Sequence, residues 1–191
     1  MLNDSRYDHL RITLLLTVLI AITYVANILV GEIHFFGIEQ SLSLTSFLAL
    51  DTQSFERFFY LNFVTSFFSH LNINHLLSNI FMFFIAGLLV EKSFKRFEYV
   101  LFIFGSHLLS LVVLVPFIEG RHVFLGCSSV VYSLLSFYAC THKKVGLIIA
   151  LILSLVILYW MQQDLLGIIS HIIGVHIGIV VYLIKLKFQK A

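Results

Sequence analysis

Three short stretches of this 191-residue chain hold residue types that can carry out acyl transfer. The first runs from His70 through His75 to Asn79, with His75 and Asn79 four apart and so on one helical face. The second is Gly126-Cys127-Ser128-Ser129, with Tyr132 four residues beyond Ser128. The third places Gly174 and Gly178 on the helical face of His171, at spacings of three and four. A serine becomes a nucleophile when a base lies within hydrogen-bond reach. It also needs donors aimed at the developing oxyanion. Each stretch has a plainer reading when taken alone: a polar helix start, a packing serine, and a histidine bonded between helices. Ser129, Ser133 and Ser136 form a small-residue stripe suited to close helix packing, and His107 and His176 read as packing histidines. No His-Glu-x-x-His pattern occurs, so neither a metal nor a cofactor is expected.

The elements that must position these residues follow from composition. The chain is 60% hydrophobic and only 12% charged, where soluble domains carry about 25% charged residues. With 20 Phe and one Pro, it holds more apolar surface than a water-soluble fold of this size can hide. It reads as a polytopic, all-α membrane protein. Apolar stretches at about 12–31, 74–91, 99–118, 127–141, 145–161 and 167–185 give six expected spans. The first lacks a small-residue cleavage site and reads as a retained span rather than a signal peptide. The long connection 32–73 is aromatic but broken by Asn62, Ser66 and Ser69, and reads as short interfacial helices partly embedded in the membrane. Residues 1–11 and 186–191 flank the membrane domain 12–185 as short tails. Cys127 and Cys140 lie 13 residues apart on one expected helix, about 20 Å along its axis and too far for a bridge. A net charge of +2 gives no argument for a nucleic-acid partner.

Charge fixes an orientation. With six spans, one side receives Arg6, Arg11, Lys92, Lys95, Arg96, Lys143, Lys144, Lys185, Lys187 and Lys190, and the other only Arg57 and Arg121, which is 10 against 2 of the 12 basic residues. The positive-inside rule then puts both termini in the cytoplasm. Ser128, His75 and His171 all fall toward the non-cytoplasmic ends of their spans, so side and depth agree for the three stretches.

These motifs resemble the rhomboid family, whose signatures are His-x4-His-x3-Asn in the second span, Gly-x-Ser-Gly at the start of the fourth and His-x2-Gly-x3-Gly in the sixth. Val90-Glu91-Lys92 and Val130-Val131-Tyr132 also resemble the bacterial six-span members. The resemblance covers about residues 10–185. It implies a rhomboid-like six-helix bundle and an intramembrane serine protease of a bacterial inner membrane. In that reading Ser128 is the nucleophile and His171 the base, with no Asp partner. His75, Asn79 and the Ser128 backbone N–H hold the oxyanion, Tyr132 stacks on His171, and His70 orders the loop. Gly126, Gly174 and Gly178 support the packing. The implied substrates are single-span membrane proteins cut near the outer surface, with a small residue before the cut. Two departures stand out: Ser129 replaces the family's Gly, and Leu61-Asn62 sits where a Trp-Arg pair is common in the first loop. Two alternatives stay open, a rhombosortase that processes C-terminal sorting tails and an inactive relative that escorts membrane clients.

Overall fold

The computed structural model describes residues 11–29, 33–34, 37–38, 47–52, 59–162 and 165–189. The N-terminal tail 1–10, the end of the C-terminal tail and the Gln163-Asp164 connection lie outside them. Among the described residues, six main helices make the body: α1 (Arg11–Leu29), α3 (Ile73–Val90), α4 (Arg96–Leu114), α5 (Ser128–Thr141), α6 (Val145–Gln162) and α7 (Leu165–Gln189), with a short α2 (Phe59–Thr65) before α3. Among the described residues, four stretches, 12–29, 73–93, 96–117 and 165–188, are long and apolar enough to cross a membrane. α6 is strongly apolar too. Its Ile149, Ile152, Leu153, Val156 and Ile157 are exposed, as are Leu14, Leu15, Val18, Ile22 and Val25 on α1. Such outward apolar faces suit lipid, where a helix satisfies its own backbone.

α5 is the exception in length and burial. Its 14 residues span about 21 Å at 1.5 Å per residue. It is buried almost all round, from Ser129 to Phe137, and packs against α3, α4, α6 and α7. A helix buried on every side needs small residues wherever a neighbour's backbone approaches. Ser133 Oγ lies 2.9 Å from the Gly174 carbonyl and Ser136 Oγ 3.0 Å from that of Val175. The stripe read from the sequence is therefore the seam against α7. Near the opposite end of α5, Phe94 and Phe102 pack on Phe137 with ring centroids 4.9 and 5.7 Å away.

α1 is anchored through a carboxylate. Glu91, 3% exposed, accepts from the Ile12 and Thr13 backbone N–H groups, each at 3.1 Å, and from Thr13 Oγ1 at 2.6 Å. With the Thr13 proton committed there, the Tyr99 hydroxyl donates to Thr13 Oγ1 at 2.9 Å. A negative charge at a helix N-terminus satisfies orphan N–H groups and complements the helix dipole. Glu91→Leu leaves those donors buried and unpaired and should lower stability by about 2–4 kcal/mol. Unfolding in detergent checks this.

The long first connection departs in part from the interfacial helices expected of it. α2 and the 3-10 turn Ser66–Phe68 are helical. Leu50–Asp51 (β3), however, is a strand and pairs antiparallel with Val123–Phe124 (β4). A cross-link between segments about 70 residues apart leaves no trace in local periodicity. An ion pair between Asp51 and Arg121 at 2.8 Å and a Thr52 N–H bond to the His122 carbonyl at 2.9 Å reinforce it. A second two-residue pairing joins Ile33–His34 (β1) to Gly37–Ile38 (β2). Asn62, at the point where the family pattern has Trp-Arg, donates to the Ala49 carbonyl at 2.7 Å, and Thr65 donates to that of Leu48 at 2.8 Å. Loop anchoring is thus supplied by hydrogen bonds to the backbone.

Candidate active site

The chain from β4 to α5 turns through Gly126, whose φ is +96°. Only glycine adopts that region freely. Its N–H donates to the Ser66 carbonyl at 2.8 Å, which ties the turn to the end of α2. The space where a Cβ would stand lies 3.0–3.1 Å from the His75 ring and 3.7 Å from His70 Nε2. Gly126→Ala therefore adds backbone strain and displaces His75. The His75 imidazole resonances should shift while the helices persist, which NMR and circular dichroism together check.

Ser128 is the first residue of α5, so its N–H belongs to the unsatisfied donors at the helix start. Its hydroxyl lies 2.8 Å from His171 Nε2. Tyr132, one turn further along α5, stacks on the His171 ring with centroids 4.6 Å apart and planes at 17°. α7 brings His171 this close because Gly174 and Gly178 lie directly against α5. A Cβ on Gly174 would stand 2.2 Å from the Ser129 carbonyl oxygen, and one on Gly178 2.1 Å from that of Ser133.

α3 enters through a capped start. Asn72 is the N-cap, and its side chain accepts from the His75 N–H at 2.9 Å. The Leu71 N–H makes a long, 3.5 Å contact to His75 Nδ1. A ring accepting at Nδ1 carries its proton on Nε2, the form that can donate. Asn79 is 5% exposed, and its amide donates to the His75 carbonyl at 2.9 Å. Its own carbonyl lies 3.7 Å from Cys127 Sγ. Asn79 thus grips the residue before Ser128 while one amide hydrogen is already committed. His70 is fully buried behind His75, with ring centroids 5.1 Å apart. Burial, then the neighbouring His75, push it down to about 3, so it stays neutral and packs as a spacer.

Ser128, His171 and His75 open onto one cavity of about 830 Å³. His107, Ser110 and Ser129 line it too. The Ser129 hydroxyl, standing in place of the family's Gly, lies 3.1 Å from Ser110 Oγ. His107 is bonded to Ser66 Oγ at 3.0 Å, a link between α4 and the first loop. His176 bonds the Ile172 carbonyl of its own helix at 2.8 Å. His107 thus bonds across elements as a packing histidine would, while also lining the cavity, whereas His176 is exposed and bonds within its own helix rather than between helices. Ser66 was readable only as a break in the aromatic connection, and nothing in the local pattern singles out Ser110. Ser154 bonds the Tyr132 hydroxyl at 2.8 Å, and its only signal was being the lone serine in an otherwise apolar helix. Both cysteines are free. Among the described residues, no three His, Cys, Asp or Glu side chains are grouped to hold a metal ion.

A family model described as Rhomboid domain matches residues 57–188, a stretch that takes in α2 to α6, all but the last residue of α7, and every residue of the cavity named above. No curated protein matches the chain.

Proposed function

Because the chain belongs to the rhomboid family and is an all-α integral membrane protein, we propose that it is an intramembrane serine endopeptidase working through a Ser128–His171 dyad. The observation that carries this reading is the 2.8 Å contact between Ser128 Oγ and His171 Nε2 at the wall of a cavity. In this reading His171 Nε2 takes the Ser128 proton as Oγ attacks the scissile carbonyl. The oxyanion is met by the Ser128 N–H at the positive end of α5, by His75 Nε2–H, and by the second amide hydrogen of Asn79 after a small side-chain rotation. His171 then passes its proton to the leaving amine, and a water arriving through the cavity hydrolyses the acyl-enzyme. Tyr132, stacked on the imidazole, helps to orient it.

We place the six-helix body in the membrane with both termini in the cytoplasm, on the 10-to-2 asymmetry of basic residues, and in a bacterial inner membrane on the resemblance to bacterial six-span members. The substrates in this reading are single-span membrane proteins cut toward the non-cytoplasmic face. The test is reconstitution in proteoliposomes with a single-span reporter, alongside labelling by a fluorophosphonate probe. Cleavage together with labelling at Ser128 supports the proposal. Neither cleavage nor labelling overturns it in favour of an escort protein. Cleavage restricted to a reporter ending in a glycine-rich C-terminal span points to the sorting-tail alternative.

A further inference from the structure

We infer that Ser154, on the neighbouring helix α6, is a positioning residue for His171 and acts through Tyr132. The inference rests on the dyad reading above and extends it to a residue outside the lining of the cavity.

In the dyad reading the His171 imidazole must be held in line with Ser128 Oγ. The Tyr132 ring covers the imidazole face at 4.6 Å and 17°, yet a stack alone leaves the ring free to slide within its plane. Something must therefore fix Tyr132 itself. Its hydroxyl lies 2.8 Å from Ser154 Oγ, and Ser154 Oγ lies 2.7 Å from the Leu151 carbonyl. A carbonyl only accepts, so the Ser154 proton goes to Leu151 and Ser154 Oγ accepts from the Tyr132 O–H. The direction of the chain is thereby settled: Tyr132 to Ser154 to Leu151. Tyr132 is then pinned at both ends, by its Cα in α5 and by its hydroxyl on α6.

Local chemistry explains why the tie matters. α6 runs Val-Gly-Leu-Ile-Ile-Ala-Leu-Ile-Leu-Ser-Leu-Val-Ile-Leu before its aromatic end, and Ser154 is its only serine or threonine. Tyr132 is only 9% exposed. A buried hydroxyl that loses its acceptor bears its full desolvation cost. It moves to find another acceptor and takes the ring off His171. A serine that served packing alone would be replaceable by alanine.

Four purified variants in detergent decide this: Ser154→Ala, Ser154→Thr, Tyr132→Phe, and Tyr132→Phe with Ser154→Ala. Ser154→Ala should lower kcat, and the rate of Ser128 labelling by the fluorophosphonate, about tenfold. KM should stay within about twofold, since the effect lies on the base rather than on binding. Ser154→Thr keeps the hydroxyl and should restore the rate to within about threefold. In the Tyr132→Phe background no hydroxyl needs an acceptor, so adding Ser154→Ala should change nothing further. Unchanged labelling in Ser154→Ala overturns the inference alone. So does an equal loss from Ser154→Ala in both backgrounds, or a loss that Ser154→Thr fails to restore. A parent protein that never labels overturns the dyad and this inference together.

Discussion

Ser128→Ala and His171→Ala should each lower reporter cleavage by at least about 10³-fold, and the double variant should be no worse than either alone. The reason is geometric. In the proposed dyad the 2.8 Å contact joins serine and histidine into one proton-transfer unit, and a unit missing either half is as idle as one missing both. Fluorophosphonate labelling separates the roles. It should vanish in Ser128→Ala, which has no hydroxyl to react, and slow sharply in His171→Ala, where the hydroxyl remains but nothing removes its proton. Both side chains are half-buried at the cavity wall, so the thermal midpoint should move by only a few degrees, about what 1 kcal/mol produces. Cleavage that survives Ser128→Ala would refute the assignment.

The second large effect comes from outside the dyad. Gly174→Val should abolish labelling and cleavage, by about 10²-fold or more, and destabilise the fold by about 1–3 kcal/mol. A Cβ at Gly174 would stand 2.2 Å from the Ser129 carbonyl oxygen. That oxygen is backbone of α5 and has no rotamer to escape into. α7 must therefore move away from α5 at the level where His171 meets Ser128, and the proton-transfer contact opens. Gly178→Val should act alike, since its Cβ would stand 2.1 Å from the Ser133 carbonyl oxygen. Gly105→Ala is the control: nothing lies within 4 Å of its Cβ position, and activity should be unchanged. A Gly174→Val protein that keeps full labelling would show that the seam does not set the dyad distance.

The helices were the easiest part to read in advance, because helical hydrogen bonds are local and lipid demands long apolar runs. The expected fourth stretch, 127–141, differs from α5 by one residue, and the expected third begins three residues after Arg96. Residues now found together in the cavity stood out because polar side chains are costly at membrane depth. Pairings across the chain were a different matter. β3 with β4, Ser110 with Ser129, and Tyr132 with Ser154 join residues whose types are ordinary and whose separation carries no period. Asn79 shows the limit within a motif. Its place on the His75 face was readable from a spacing of four, but not that its amide would bond the His75 carbonyl and its oxygen meet Cys127.

The shortness of α5 has its own consequence. A helix of about 21 Å cannot bridge a hydrocarbon layer of about 30 Å. One end of it must then stop short of the headgroups, and Ser128 stands at an end that opens onto a cavity. Under the protease reading proposed above, the nucleophile's depth is metered by the residue count of a single helix, at about 1.5 Å along its axis per residue. In that reading α5 is a depth gauge, and a thinner or thicker bilayer would slide a different bond of the same substrate into register with it.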